Sequence, residues 1–187
     1  MALNNSGEPS LAAGEGGIWI HDISNVTHVD PTTGEIVATI PVGTGLGNPG
    51  NVAVGLRTVW VGNRRQVDRV NPATDELLKP TEVAPEESFR LLVAVGEGSA
   101  WTLDGSGVLS RVSEGGKLGA SADVTTDGAG LAVGAGSVWV LDNLDGVVIP
   151  VDPATLEVGD PIEVPGNAQR SLSSTVWSGC WTPLPAR

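Results

Sequence analysis

One short motif recurs along this chain at a nearly constant interval, and it limits the architectures that the chain can adopt. Its clearest copy is Gly-Ser-Val-Trp-Val at 136–140, and related copies place tryptophan at positions 19, 60, 101 and 177. Successive tryptophans are therefore 41, 41, 38 and 38 residues apart. A fixed period of about 40 residues is typical of repeat architectures, in which each repeat is one supersecondary unit that packs on its neighbours.

Each period contains four short apolar segments separated by turn-forming residues. A segment of small residues that ends in glycine comes first, as at 52–55, and the tryptophan segment follows after a tight turn. The third segment ends in an Asx-Pro pair at 30–31, 71–72 and 152–153, and a fourth segment closes the period. Proline sets φ in such a turn, and the Asx side chain binds the backbone ahead of it. Four strands per period predict the blades of an all-β fold, the β-propeller.

The period also predicts how the chain is divided. We expect an N-terminal lead at 1–7, a repeat array at 8–178 and an irregular tail at 179–187. Four blades are predicted at 8–42, 50–83, 90–122 and 129–164, with the remnant of a fifth at 168–178. The remnant could complete a five-bladed ring, four blades could close alone, or a homo-oligomer could form a larger ring. A larger ring would leave no unpaired end, and we favour assembly from more than one chain because natural arrays of this repeat are usually longer.

Composition excludes several classes of partner. The net charge is −12, and the only basic cluster is Arg64-Arg65 with Arg69 nearby, so no nucleic-acid partner is expected. No apolar run approaches the length of a membrane span. The first residues lack the pattern of a signal peptide, which leaves the compartment open. Cys180 is the sole cysteine and cannot form an internal disulfide.

Three phrases carry a resemblance to a known group of repeats. Val-Trp-Val at 138–140, Val-Asp-Pro-Ala-Thr at 151–155 and Ile-Pro-Val-Gly at 40–43 resemble the bacterial YVTN-type propeller repeats. The array is also similar to the propeller of virginiamycin B lyase and, more distantly, to the gluconolactonase and lactonase group. The resemblance implies a β-propeller, often extracytoplasmic in bacteria. It leaves function open, because such repeats occur in lyases, hydrolases, surface proteins and interaction modules.

In each of the four predicted blades, the third residue after the tryptophan carries a side-chain oxygen. In a four-stranded meander this residue lies at the same end of the blade as the blade-to-blade loop, where enzymatic propellers bind their ligands. The aspartates are metal-ligand candidates, because divalent cations prefer hard oxygen ligands from several blades. Turn formation is the preferred interpretation, since turns repeat in every blade and metal sites do not. The set comprises Asp22, Asn63, Asp104 and Asp142.

A second set of polar residues precedes or begins the first strand of each period, and its members differ from blade to blade. Variation within an array is typical of a single asymmetric site, so we predict a ligand-binding role for three of these residues and for Asn63. The resemblance to the lactonase group implies calcium ligands at such positions, and Glu8, Asn48 and Asp127 match by position. The set comprises Glu8, Ser10, Asn48, Asn51, Arg90 and Asp127, and solvation of the loops is the alternative interpretation. The four ligand-binding predictions are Asn48, Asn51, Arg90 and Asn63.

His21 departs from the repeat, because the other copies carry Gly62, Leu103 and Leu141 at its position. It is a candidate general base or metal ligand, although an exposed histidine at the blade rim is the preferred interpretation, and Glu8 and Asp127 are further candidates for moving protons. Two functions therefore remain. The chain is a propeller module that binds a small-molecule ligand or a protein partner. Alternatively, it is a hydrolase or lyase in which calcium, zinc or manganese activates a small ester, lactone or phosphoester.

Overall fold

The computed structural model describes residues 9–22, 24–43, 50–83 and 90–164. These residues form sixteen strands in four antiparallel sheets of four strands each, and the order of strands within each sheet follows the chain. The prediction of an all-β propeller of four-stranded blades is confirmed. No helix in the described ranges is long and apolar enough to cross a membrane.

The four sheets are numbered as blades in chain order. Blade 1 contains β1 Ser10–Gly14, β2 Gly17–His21, β3 Asn25–Val29 and β4 Ile36–Pro41. Blade 2 contains β5 Val52–Gly55, β6 Thr58–Asn63, β7 Gln66–Asn71 and β8 Glu76–Glu82. Blade 3 contains β9 Leu91–Gly96, β10 Ser99–Asp104, β11 Val108–Val112 and β12 Leu118–Asp123. Blade 4 contains β13 Gly128–Gly134, β14 Ser137–Asp142, β15 Val147–Val151 and β16 Ile162–Glu163. The predicted lead, remnant and tail lie wholly or largely outside the described residues.

Tight turns join the first and second strands of each blade. Both central residues have positive φ in every blade, as a type I′ hairpin turn requires. Glycine is the second central residue in blades 1, 3 and 4, whereas blade 2 carries Arg57 at φ +53°. Glycine adopts this conformation without strain, so Arg57 is the exception that the repeat does not explain.

Asx turns end the third strands, as their Asx-Pro pairs predict. The Asp30 side chain accepts the backbone N–H of Thr32 at 2.6 Å and of Thr33 at 3.2 Å. Asp152 accepts the N–H of Ala154 and Thr155, both at 2.8 Å. These donors stabilise the charged carboxylate and so lower the pKa of Asp30 and Asp152 below the ordinary value.

The core lies between the blades, because the tryptophans of blades 1 to 3 pack on valines of the following blade. Trp19, for example, clusters with Val59, Val61 and Val70 of blade 2. The tryptophans of blades 1 to 3 are fully buried. In all four blades the indole N–H donates to the carbonyl of the glycine that ends the first strand, at 3.0–3.1 Å. A large apolar side chain is thus buried with its one polar atom hydrogen-bonded.

The four blades form an open series. β1 contacts β5, β5 contacts β9 and β9 contacts β13, so the first strands line the inside of the array. The described sheets do not close into a ring. Trp139 of the last blade is consequently only half-buried, unlike the other three.

Candidate functional site

Both predicted sets of polar residues lie at one end of the blades. The first and second strands are antiparallel, so the start of one pairs with the end of the other. The register pairs Ser10 with His21, Val52 with Val61, Leu91 with Asp104 and Gly128 with Asp142. We call this end the mouth surface, and its described polar residues include Ser10, His21, Asp22, Asn51, Asn63, Asp68, Arg90, Asp104, Asp127 and Asp142. Glu8 and Asn48 lie outside the described residues.

The three predicted metal ligands are engaged in their own turns. In each, Oδ1 accepts backbone N–H groups of residues two to four positions ahead. The donors are Ser24 and Asn25 for Asp22, Ser106 and Val108 for Asp104, and Asp145 for Asp142, at 2.7–3.0 Å. The other Asp142 oxygen accepts the Thr125 hydroxyl. These contacts stabilise the turns between second and third strands.

A metal site at these positions stays a prediction. The described part of the chain contains no group of three or more His, Cys, Asp or Glu side chains that could hold a metal ion. Asp22, Asp104 and Asp142 stand in three different blades, each turned into its own loop. The residues present therefore do not fit a shared cation.

Residues near the start of the first strands connect neighbouring blades. The Asn51 side chain donates to the Val93 carbonyl at 2.8 Å and accepts the Val93 N–H at 2.7 Å. The Ser10 hydroxyl accepts the Val52 N–H at 3.0 Å, and Arg90 Nη2 donates to the Gly128 carbonyl at 2.7 Å. Each contact joins one blade to the next. The structure thus gives Asn51 and Arg90 a role in assembly, and their predicted ligand-binding role stays a prediction.

A second series of contacts joins the blades at the third strands. The residue opposite the tryptophan on the third strand is His28, Arg69 or Arg111 in blades 1 to 3. His28 stacks on Trp19 with ring centroids 4.0 Å apart, and the Arg69 guanidinium lies 5.2 Å from the Trp60 ring centroid. Each of the three side chains then reaches the following blade's turn between third and fourth strands. The contacts are His28 Nδ1 to Asp75 at 2.8 Å, Arg69 to the Gly115 carbonyl at 2.9 Å and Arg111 to the Pro153 carbonyl at 3.4 Å.

His21 lies at the junction of blades 1 and 2. Its side chain is almost fully buried, and its Nδ1 has no hydrogen-bond partner among the described residues. Burial lowers the pKa of His21 below 6.5, opposed in part by the charge of Asp22, a hydrogen bond with the Gly50 backbone and the charge of Asp68. Burial therefore favours the neutral imidazole, whose Nδ1 is buried without a partner among the described residues, and the expectation of an exposed histidine at the blade rim is wrong.

Asp68 is the residue that sequence reasoning missed. It is 6% exposed and accepts hydrogen bonds from Asn63 Nδ2 at 2.9 Å and Gln66 Nε2 at 2.6 Å. The register places Thr27, Ser110 and Ile149 at the same position in the other blades. A carboxylate there breaks the repeat as clearly as His21 does, and that departure was the available signal.

The predicted catalytic residues are not all brought together. His21 ends β2 in blade 1, whereas Asp127 precedes β13 in blade 4, at the other end of the open series. Asp127 is half-buried, and its backbone N–H donates to the Thr125 hydroxyl at 3.4 Å. A concerted proton transfer by these two residues within one chain is not supported by this arrangement.

Comparison with known proteins identifies the architecture. No family model matches the chain, and no curated protein matches it. Among solved structures, the chain resembles BamB from Moraxella catarrhalis, with 14% identity, a TM-score of 0.66 and coverage of 88% of this chain and 52% of that one. The chain also resembles the Pan2 WD40 domain of Neurospora crassa, with 9% identity, a TM-score of 0.66 and coverage of 82% of this chain and 51% of that one. A third similar structure is apo AztD from Citrobacter koseri, with 17% identity, a TM-score of 0.64 and coverage of 84% of this chain and 47% of that one.

These likenesses concern the fold, since every identity is below 20%. The chain spans about half the length of each structure that it matches. The match and the four stacked sheets together show a β-propeller architecture, of which the described residues supply four blades.

Proposed function

We propose that this chain is a binding module of the β-propeller class, whose binding surface for a ligand or protein partner is the mouth surface. One observation carries the proposal. His21 and Asp68 each occur once in the array at their repeat position, and both lie at the junction of blades 1 and 2. Two departures from the repeat pattern at the same junction favour a shared functional role over independent changes in single repeats.

The chemistry of the cluster favours a ligand that donates hydrogen bonds. Asp68 is a buried carboxylate that accepts hydrogen bonds from Asn63 and Gln66, His21 has a buried imidazole nitrogen without a partner among the described residues, and Asp22 contributes a further charge nearby. The net charge of −12 adds a long-range attraction for positively charged partners. The ligand class that fits is therefore a cationic or N–H-rich group, such as a lysine side chain of a partner protein.

We also propose that the array is related to the YVTN-type repeats. The motifs at 138–140 and 151–155 support this relationship. In the structure these motifs form the second strand of blade 4 and the Asx turn that follows its third strand. They therefore specify the blade itself and leave the nature of the ligand to the residues that vary.

A titration monitored by NMR tests the binding proposal. A short lysine-rich peptide is added to the ¹⁵N-labelled chain, and amide shifts are expected at His21, Asn63 and Asp68. His21→Leu and Asp68→Ser install residues that other blades carry at these positions. Each should weaken binding about tenfold, which corresponds to the loss of one charge-assisted hydrogen bond.

The opposite end of the blades supplies the control. It carries the exposed carboxylates of Glu35, Glu97 and Glu157, so attraction by charge alone would produce shifts there. Glu157→Gln removes one of these charges and should leave the affinity unchanged. Shifts confined to that end, or equal affinities for all variants, would refute a mouth-surface site.

The alternative of a divalent-metal-dependent hydrolase or lyase stays a prediction. Elemental analysis of protein purified without added metal tests it. A stoichiometric amount of calcium, zinc or manganese would support that function, and would justify assays with esters, lactones and phosphoesters. Protein that neither contains nor takes up metal on titration would contradict it.

A further inference from the structure

The three junctions inside the molecule share one construction. The glycine that ends each first strand lies directly against a valine of the following blade. A Cβ built on Gly14, Gly55 or Gly96 would lie 3.6, 3.4 or 3.0 Å from the Cβ of Val54, Val95 or Val133, respectively. Glycine is needed at these positions because a side chain would crowd the next blade.

Blade 4 has the same construction with nothing against it. Gly134 adopts φ +154°, matching +152° at Gly14 and +153° at Gly55, and its carbonyl accepts the Trp139 indole N–H. Yet no atom of the described residues lies within 4 Å of a Cβ built on Gly134. The blade is therefore shaped for a neighbour that the described part of one chain does not provide.

The exposed side of blade 4 is apolar. Directly opposed residues of antiparallel strands share one face of a sheet. Trp139 is opposed by Pro150, Leu141 by Val148, and Val148 by Ile162. We call these five residues the forward face. It is the counterpart of the surfaces of blades 1 to 3 that carry the buried tryptophans.

Blade 1 exposes the complementary side. The register places Leu11, Ile18, Ile20, Val29 and Ile36 on one face, which we call the rear face. The same positions in blade 2 are Val52, Val59, Val61, Val70 and Leu77, and the first four of these pack around Trp19. Leu11 is 71% exposed and Ile36 is 67% exposed. The rear face thus has the composition of a tryptophan-receiving surface.

We propose that a second copy of this chain seats its rear face on the forward face of blade 4, and that the reciprocal contact closes a ring with twofold symmetry. Four blades from each chain give eight, within the range of about 4–8 blades at which propellers close. The aligned part of this chain covers 47–52% of each of these matched propellers, so each is about twice the size of the aligned array, in agreement with that number. Ala13 of the second copy would occupy the space beside Gly134, because Ala13 holds the position of Val54, Val95 and Val133.

The junction between copies differs from the internal ones in its polar contacts. Pro150 stands where blades 1 to 3 carry His28, Arg69 or Arg111, so it offers no cationic side chain to the next blade. Ala135 stands where blades 1 and 3 carry Glu15 and Glu97. The Glu15 side chain accepts the N–H of Arg57 at 2.9 Å, and the Glu97 side chain accepts the N–H of Gly136 at 3.1 Å. Association through an apolar junction should not weaken in high salt.

A disulfide tests the junction directly. Gly134→Cys and Ala13→Cys are combined with Cys180→Ser, which removes the native thiol. Disulfide-bonded residues have Cβ atoms about 3.5–4.5 Å apart, close to the spacing at the internal junctions. The matched control is Gly14→Cys with Val54→Cys, which places the same change, at the same backbone conformation, inside one chain.

The expected result is a covalent dimer for the test pair and a covalent monomer for the control on a non-reducing gel. The unmodified chain should scatter light with twice the 19.0 kDa of one chain, at low and high salt alike. Val148→Asp should return it to a monomer. Leu144→Asp, at a 66% exposed turn residue outside both faces, should leave the dimer intact.

Several outcomes would overturn the proposal. A monomeric unmodified chain would do so, and would assign the forward face to another occupant, such as residues 165–187 of the same chain. A disulfide formed within one chain would indicate closure by four blades. A ladder of higher multimers would indicate an open-ended array. A test pair that stays reduced while the control oxidises would show that Ala13 and Gly134 do not meet.

Discussion

The side chain of Asn51 offers the sharpest test of how the blades are joined. It forms two hydrogen bonds with Val93, at 2.7 and 2.8 Å, and Val93 is 1% exposed. A hydrogen bond contributes about 1 kcal/mol net, and a buried polar group left unpaired costs about 1–3 kcal/mol. Asn51→Ala removes both bonds and leaves a buried N–H and a buried carbonyl without these partners. We therefore expect the free energy of unfolding to fall by about 3 kcal/mol.

Urea unfolding with linear extrapolation measures this loss. Ser10→Ala is the matched control, because it removes a single hydrogen bond, the one from the Val52 N–H, at the junction of blades 1 and 2. Its expected cost is about 1 kcal/mol. Asn51→Asp should be intermediate, since it keeps an acceptor for the Val93 N–H and loses the donor to the carbonyl. If Asn51→Ala cost no more than Ser10→Ala, the two-bond connection would not be what joins blades 2 and 3.

Four further variants probe burial, backbone strain and the open end. Burial lowers the pKa of His21, so the folded chain resists protonation and the free energy of unfolding falls as the pH drops below about 6.5. His21→Leu should therefore reduce the difference in this free energy between pH 7 and pH 5, as measured by urea unfolding. An unchanged difference would contradict this. Arg57→Gly should raise the Tm, because the backbone conformation at φ +53° strains residues other than glycine. The increase should be clearest in high salt, which screens the ion pair between Arg57 and Glu114 that the variant loses. A lower Tm at high salt would contradict this. Trp60→Ala should cost about 3–5 kcal/mol in urea unfolding. Trp139→Ala should cost clearly less at protein concentrations too low for association, because Trp139 is half-buried, and equal costs would show that its face is covered within one chain.

The fold could be predicted because its determinants are local and repeated. A tryptophan flanked by β-branched residues specifies the second strand, and Asp30 or Asp152 before proline specifies the turn after the third strand. Each such determinant acts within a few residues, and four copies reinforce one another. Turn formation by Asp22, Asp104 and Asp142, which was the preferred interpretation over metal binding, follows from the same local chemistry.

The inner-strand residues could not be interpreted in this way. A polar side chain at the start of a first strand suits a ligand site and a connection between blades equally well. Asn51 contacts Val93, which is 42 residues away in the sequence, and nothing near either residue indicates the pairing. Asp68 escaped notice for a related reason. Its neighbourhood with His21 depends on the packing of blade 2 on blade 1.

Apolar packing and hydrogen bonding contribute in different ways to the junctions between blades. Packing of a tryptophan on valines has no strict direction, so one motif serves every junction and remains visible as a repeat. Hydrogen bonds depend on distance and angle, so each junction needs its own solution, such as His28 with Asp75 or Arg69 with the Gly115 carbonyl. The variable residues therefore specify which blade follows which. At blade 4 the packing surface persists while Pro150 and Ala135 offer no such side chains, so whatever covers that surface is selected by shape and apolar contact.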